Sequence, residues 1–314
     1  MVRPYRLGYI MLDTPDLDAA TKFWTNIWAL EISERTENRV YLRGGPQHHW
    51  IVLQKAEKPG LARWSMEVST VEELEALEKR LREEGIKVET GDGLESDRIG
   101  PYVRFHDPSG NPLELYVDML TMPNLPERPF PILDIQHSVL YVEHLPTSYD
   151  FYHGVLGMGL SERLANAIAF VHMGNGWHHG IGLGAGPAKQ GMNHVCFHSP
   201  DLAATMKLRE LVLKNGLTIS MDFLKHAPST SEGFYFVGHD GIVTEFSYGS
   251  RNMKDPGERV RLMDTRPNTL DLWKSWLAGP DELDMVERLR EQGVSVGVDL
   301  DRISAVGSIV NTQQ

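Results

Sequence analysis

Two stretches of this chain carry the same order of apolar and polar positions. RLGYIMLDTPDLDAATKFWTNIWALEI (residues 6–32) and DIQHSVLYVEHLPTSYDFYHGVLGMGL (134–160) align without a gap after a shift of 128 positions. Leu12 meets Leu140, Leu17 meets Leu145, Phe23 meets Phe151, Trp24 meets Tyr152, Ile27 meets Val155 and Ile32 meets Leu160. Each stretch predicts a short strand, then a helix opening near Asp16 or Leu145 with its large side chains at helical spacing.

Two further landmarks recur. Residues 62–88 and 192–219 each predict strand, N-cap, helix and a terminating glycine, Gly85 or Gly216, with capping chemistry at 69–72 and 199–201. In this alignment Ser65 falls opposite His194. YVRFHDPSGNPLELY (102–116) and YFVGHDGIVTEFSY (235–248) predict hairpins that turn at residues 107–110 and 240–241, and they place Glu114 opposite Glu245. RVYLRG, HHWIVLQ, AIAFVHM and HHGIGLG supply further strands. An α+β architecture follows, with duplicated βαβββ modules forming two barrel-like domains. The linker TMPNLPERPFPILD holds four prolines, which suppress regular structure. The expected units are an N-terminal domain at 1–125, a C-terminal domain at 130–250 and an extension at 251–314. In the extension, residues 268–293 predict two helices. The second is amphipathic around Leu283, Met285, Val286 and Leu289 and suits a lid or a subunit contact.

Composition narrows the functional classes. A formal net charge of -12 in 314 residues, with no basic stripe, argues against a nucleic-acid surface. No apolar run reaches membrane-spanning length, and MVRPYRLGYI does not read as a signal peptide. One cysteine, Cys196, permits no internal disulfide, and a cytoplasmic protein is expected.

The halves differ where chemistry matters. The three landmarks carry Tyr9, Ser65 and Glu114 in the first half but His137, His194 and Glu245 in the second. Two imidazoles and a carboxylate are the facial ligand set of non-haem Fe(II) sites, which leaves adjacent coordination positions open. A lone strand histidine is usually structural. The coincidence of three ligand types at three repeat landmarks makes the second half the expected metal site and the first half metal-free. Cys196, two residues beyond His194, is expected to be a small packing residue. His144, His153, His172, His198 and His239 are expected to be structural or exposed.

This order of residues on duplicated modules resembles the type I extradiol catecholic dioxygenases of the vicinal oxygen chelate superfamily, over residues 5 to about 250. HDGIVTEF departs from the usual signature by lacking the proline that DPSGNPLE keeps in the first half. The resemblance implies Fe(II), or Mn(II) in its place, and a homo-oligomer. It also implies three further functional residues: His179 as acid and base, and His226 and Tyr235 as hydrogen-bonding partners of the diol oxygens. The implied reaction opens a catechol, a 3-substituted catechol or 2,3-dihydroxybiphenyl beside one hydroxyl, using dioxygen and giving a 2-hydroxymuconic semialdehyde type product. Two alternatives share the module: a glyoxalase-type metal-dependent isomerase and a metal-free small-molecule binding protein.

Overall fold

A computed structural model describes residues 1–186, 188–263, 269 and 271–273. The first half contains β1 (Arg6–Thr14), α1 (Leu17–Asn26), β2 (Glu31–Arg35), β3 (Arg39–Arg43), β4 (Ile51–Lys55), β5 (Gly60–Glu67), α2 (Val71–Glu83), β6 (Glu89–Asp92), β7 (Pro101–His106) and β8 (Pro112–Tyr116). The second contains β9 (Ile135–Val142), α3 (Leu145–Asp150), β10 (Gly159–Leu164), β11 (Ile168–His172), β12 (Ile181–Ala185), β13 (Met192–His198), α4 (Leu202–Lys214), β14 (Ile219–Lys225), β15 (Glu232–Val237), β16 (Val243–Tyr248) and β17 (Arg261–Met263). The chain is therefore four βαβββ modules in succession.

Each half forms one sheet, ordered β2-β3-β4-β1-β5-β8-β7-β6 and β14-β15-β16-β13-β9-β12-β11-β10-β17. Within a module the first strand runs parallel to the last, and the first strands of sister modules pair antiparallel. Strands distant in sequence thus become neighbours at the centre of each sheet. Side chains alternate across a strand, so residues in register on β9, β13 and β16 share one face.

Local chemistry sets the helix ends. The carboxylates of Asp16 and Asp201 accept from the amides of Ala19 (2.9 Å) and Ala204 (2.8 Å), and Thr70 Oγ1 accepts from Glu73 N (3.2 Å). Gly85 and Gly216 follow α2 and α4 with positive φ, 72° and 68°. The helix expected at Leu145 is capped by His144, whose Nδ1 accepts from Thr147 N at 3.4 Å, and ends in a π-helical turn over Phe151–Val155.

One apolar core joins the halves, running from Leu7 to Phe246. The face of β13 that carries Val195 and Phe197 turns toward residues of α1 and its C-terminal end. Trp28 is fully buried, its ring 4.4 Å from Phe197, 5.5 Å from Phe236 and 5.6 Å from Phe246. Trp24 lies 6.0 Å from Phe197. The first half therefore packs on the back of the strands whose front faces carry His194 and Glu245.

Beyond residue 250 the repeat pattern ends, but the sheet does not. β17 adds a ninth strand, parallel to β10, with Arg261 opposite Glu162. The helix expected over residues 281–293 lies outside the described residues. Among the described residues no helix is long and apolar enough to cross a membrane.

Truncating Trp28 removes the ring that touches Phe197, Phe236 and Phe246 across the halves. Trp28→Ala is expected to cost about 3–5 kcal/mol, read by urea unfolding, with faster amide exchange in β13 and β16. A loss below about 1 kcal/mol would contradict this role for the ring.

Candidate metal centre and active-site cavity

His137 on β9 faces Cys196 on β13, and Cys196 faces Glu245 on β16. His194, two residues before Cys196, points to the same face. The Nε2 atoms of His137 and His194 lie 3.1 and 3.3 Å from Glu245 Oε2. All three residues are buried. Burial pushes the Glu245 carboxyl up, but its interactions with His137 and His194 prevail and hold it well below the usual carboxylate range. Burial likewise lowers His137, against the pull of Glu245, so the ring is neutral and free to act as a ligand.

This donor set fits a divalent transition ion. His194 Nε2 is buried with no hydrogen-bond partner among the described residues, while its Nδ1 is held by Asn193 Oδ1 at 2.7 Å. Asn193 Nδ2 in turn donates to Tyr141 Oη at 2.6 Å, which orients the ring. By distance alone, His137, Cys196 and Glu245 also form a compact trio, their ligand atoms within 4.8 Å of one another. Chemistry favours His194 over Cys196. Burial pushes the thiol well above its usual value, and Sγ already shares a hydrogen bond with Ser247 Oγ (3.3 Å) and donates to the Phe197 carbonyl (3.5 Å).

The three candidate ligands line one wall of a cavity of about 420 Å³. His179, His226 and Tyr235 line it too. The His179 ring sits 3.9 Å, centroid to centroid, from that of His137. Burial, reinforced by His137 and His178, drives the His179 pKa well below its ordinary value. His226 Nε2 and Tyr235 Oη form a 2.7 Å hydrogen bond, and His226 Nε2 lies 3.9 Å from Glu245 Oε1. Burial, then the Glu245 charge, raises the Tyr235 phenol well above 10, so it is a neutral donor. All six residues singled out from the sequence therefore meet in one place.

The rest of the wall is mostly apolar: Val139, Ile168, Phe170, Ala185, Met221 and Val243. Among the described residues no lysine or arginine lines it. Glycines on β12 make the space. An added Cβ at Gly182 would meet Val139 at 2.7 Å, and Gly184 borders the cavity directly.

Register corrects one expected equivalence. Tyr9 faces Ser65 and Ser65 faces Glu114, so Ser65 corresponds to Cys196, and Arg63 stands where the second half has His194. The Arg63 guanidinium lies 3.1 Å from Tyr9 Oη and 3.3 Å from Glu114. Glu114 also accepts from Tyr9 Oη (2.6 Å) and from Arg104 Nε (2.7 Å). A fixed cation thus fills the first-half site. The interior around it is packed with Met11, Tyr41, Val52 and Tyr116, where the second half has Val139, Phe170, Gly182 and Ser247. Tyr141, Asn193 and the β12 glycines were not singled out from sequence. The alternating glycines of GIGLGAG were the available signal. Of the remaining histidines, His153 bonds the Met158 carbonyl, His172 bonds Ser161, and His198 and His239 lie near Asp134 and Asp240.

Residues 6–115 and 134–246 each match the Glyoxalase/Bleomycin resistance protein/Dioxygenase superfamily, and the chain belongs to that family. It is 28% identical over 271 residues to a biphenyl-2,3-diol 1,2-dioxygenase from Sphingomonas paucimobilis, covering 80% of this chain and 90% of that one. Among solved structures, a Mn(II)-bound glyoxalase from Novosphingobium aromaticivorans superposes with a TM-score of 0.80 at 22% identity, covering 87% of this chain and 91% of the other. A catechol 2,3-dioxygenase superposes at 0.75 and 25% identity, covering 83% and 93%.

A ligand set of His137, His194 and Glu245 predicts that His194→Ala and Glu245→Gln each lose stoichiometric metal after anaerobic loading with Fe(II) or Mn(II). Cys196→Ser should retain it. Elemental analysis of the desalted proteins checks this, and loss of metal from Cys196→Ser would move the thiol into the ligand set.

Proposed function

We propose that this protein is an extradiol dioxygenase that opens the ring of an uncharged catechol beside one hydroxyl. The observation that carries the reading is the joint placement of His137, His194 and Glu245 on three adjacent strands, at the wall of an apolar cavity that His179, His226 and Tyr235 also line. His137, His194 and Glu245 would hold a redox-active divalent ion, Fe(II) or Mn(II), which would supply Lewis acidity toward a vicinal diol and a redox link between the electron-rich ring and dioxygen.

The protein's own residues supply the remaining chemistry. A catechol that gives its first hydroxyl proton to solvent on binding brings one more to this wall, and the product leaves with its carboxyl group ionised. His179, neutral and next to His137, takes that second proton at Nε2 and later returns it to oxygen as the ring opens. Tyr235 donates its hydroxyl proton toward the developing oxyanion, and His226 fixes that hydroxyl from behind. Val139, Phe170 and Ile168 hold the ring and exclude water. Both oxygen atoms end in the product, a 2-hydroxymuconic semialdehyde type of compound, so no external reductant is consumed.

The cavity wall also selects. A carboxylate substituent would find no lysine or arginine there among the described residues, whereas an alkyl or aryl group would bury apolar surface. Beside Gly184 an added Cβ meets only Val139 and a carbonyl, at 3.6 and 3.8 Å, so a side chain there is tolerated and projects into the space.

Protein loaded anaerobically with Fe(II) or Mn(II) and mixed with aerobic catechol, 3-methylcatechol or 2,3-dihydroxybiphenyl should give a yellow product with one dioxygen consumed per diol. His194→Ala should give neither. Metal-loaded protein that consumes no oxygen with any diol would overturn the reading and favour an isomerase.

Gly184→Leu is expected to keep turnover of catechol while raising KM for 2,3-dihydroxybiphenyl at least about tenfold, the size of a loss of roughly 1.4 kcal/mol of binding. Equal effects on both diols would place the ring substituent elsewhere.

A further inference from the structure

Behind His179 lies a buried chain of polar groups that does not touch the cavity's ligands. Arg251 Nη1 donates to Glu162 Oε1 at 2.6 Å, and Arg261 on β17 donates to the same oxygen. Glu162 Oε2 lies 3.3 Å from His178 Nε2, an ion-pair distance, and neither atom has a hydrogen-bond partner among the described residues. His178 Nδ1 and His179 Nδ1 are 2.9 Å apart. Glu162 and His178 are fully buried.

These contacts allow one arrangement of protons. A carboxylate between two guanidinium groups accepts hydrogen bonds, so His178 Nε2 carries the hydrogen that faces it. Two imidazole nitrogens at 2.9 Å need one hydrogen between them, and a neutral His178 already has its hydrogen on Nε2. His178 Nδ1 therefore accepts, His179 Nδ1 donates, and His179 Nε2 is left with its lone pair facing the cavity.

We propose that Glu162 and His178 are positioning residues that hold His179 in the Nδ1–H tautomer, so that it meets the substrate as a base. The inference rests on the catalytic reading of His179. It also gives residues 251–263 a role, because Arg251 and Arg261 fix the Glu162 carboxylate from the far side. The molecule contains its own control. In the first half Glu34 Oε2 lies 3.4 Å from His48 Nε2, and His48 Nδ1 lies 3.1 Å from His49 Nδ1, but there the pair leads only to Tyr9 and a packed interior.

Protein labelled with 15N-histidine and kept metal-free is compared with Glu162→Gln, His178→Phe and Glu34→Gln by long-range 1H–15N correlation, with His179 assigned from the signal lost in His179→Gln. Wild type should show His179 as the Nδ1–H tautomer. Glu162→Gln and His178→Phe should shift it to the Nε2–H form or a mixture. In the metal-loaded enzymes both variants should lower kcat roughly 10- to 100-fold with metal content and diol KM unchanged, and Glu34→Gln should leave kcat unaltered. His178→Phe keeps the Arg251–Glu162–Arg261 cluster, so it tests the idea even if Glu162→Gln fails to fold. An Nε2–H tautomer in wild type, or full kcat in His178→Phe, would overturn the proposal. The spectrum decides the tautomer even if no diol turns over, an outcome that would overturn the dioxygenase reading instead.

Discussion

A buried carboxylate needs a positive or hydrogen-donating partner, and each half of this molecule supplies one in a different way. Glu114 and Glu245 occupy the same place in duplicated sheets, and both are fully buried. In the first half, Arg63 and Arg104 approach Glu114 and Tyr9 donates to it, so the charge is settled by the chain itself. In the second half, the neighbours of Glu245 are imidazoles, and among the described residues no lysine or arginine lines the cavity. The remaining negative charge suits a small cation that the two imidazoles could share, a role that Arg63 and Arg104 already fill beside Glu114.

Around these two carboxylates the interiors diverge in volume as well as charge. Val52 becomes Gly182 and Tyr116 becomes Ser247 on going from the first half to the second, while the backbone register is kept. Removing side chains from a sheet interior forfeits packing, a cost that grows with the volume left empty. The same emptiness gives a flat apolar ring a place beside the ligands. A filled sheet and a hollow sheet built on one plan show where duplication left freedom to change: on inward positions of the central strands.

Much of this was legible in the sequence because strand alternation and helix periodicity are local. The repeated apolar pattern gave the modules, and the contrast of Tyr9 with His137 pointed to the half whose histidines and glutamate converge on one cavity. The equivalence of Ser65 with His194 did not survive, for a physical reason. Loop lengths differ between the halves, so the offset drifts from 128 at Tyr9 and His137 to 131 at Ser65 and Cys196, and irregular pairing beside Tyr9 and His194 hides the slip. Arg63 was therefore not seen as the residue that replaces a ligand. The Glu162–His178 contact was illegible for a different reason: it depends on β10 lying within reach of the turn before β12, which only the folded sheet provides.

The hollow half also has to be held open. Its inner face contributes little packing near Gly182 and Gly184, so the strands that carry His194 and Glu245 rely on their outer faces. Trp24 and Trp28 come from the first half and bury Phe197, Phe236 and Phe246 on that outer side. A rigid aromatic layer behind β13 and β16 lets the front keep a cavity without the sheet collapsing into it. The filled half thus acts on the site from behind, as the packing partner that the emptied half no longer supplies for itself.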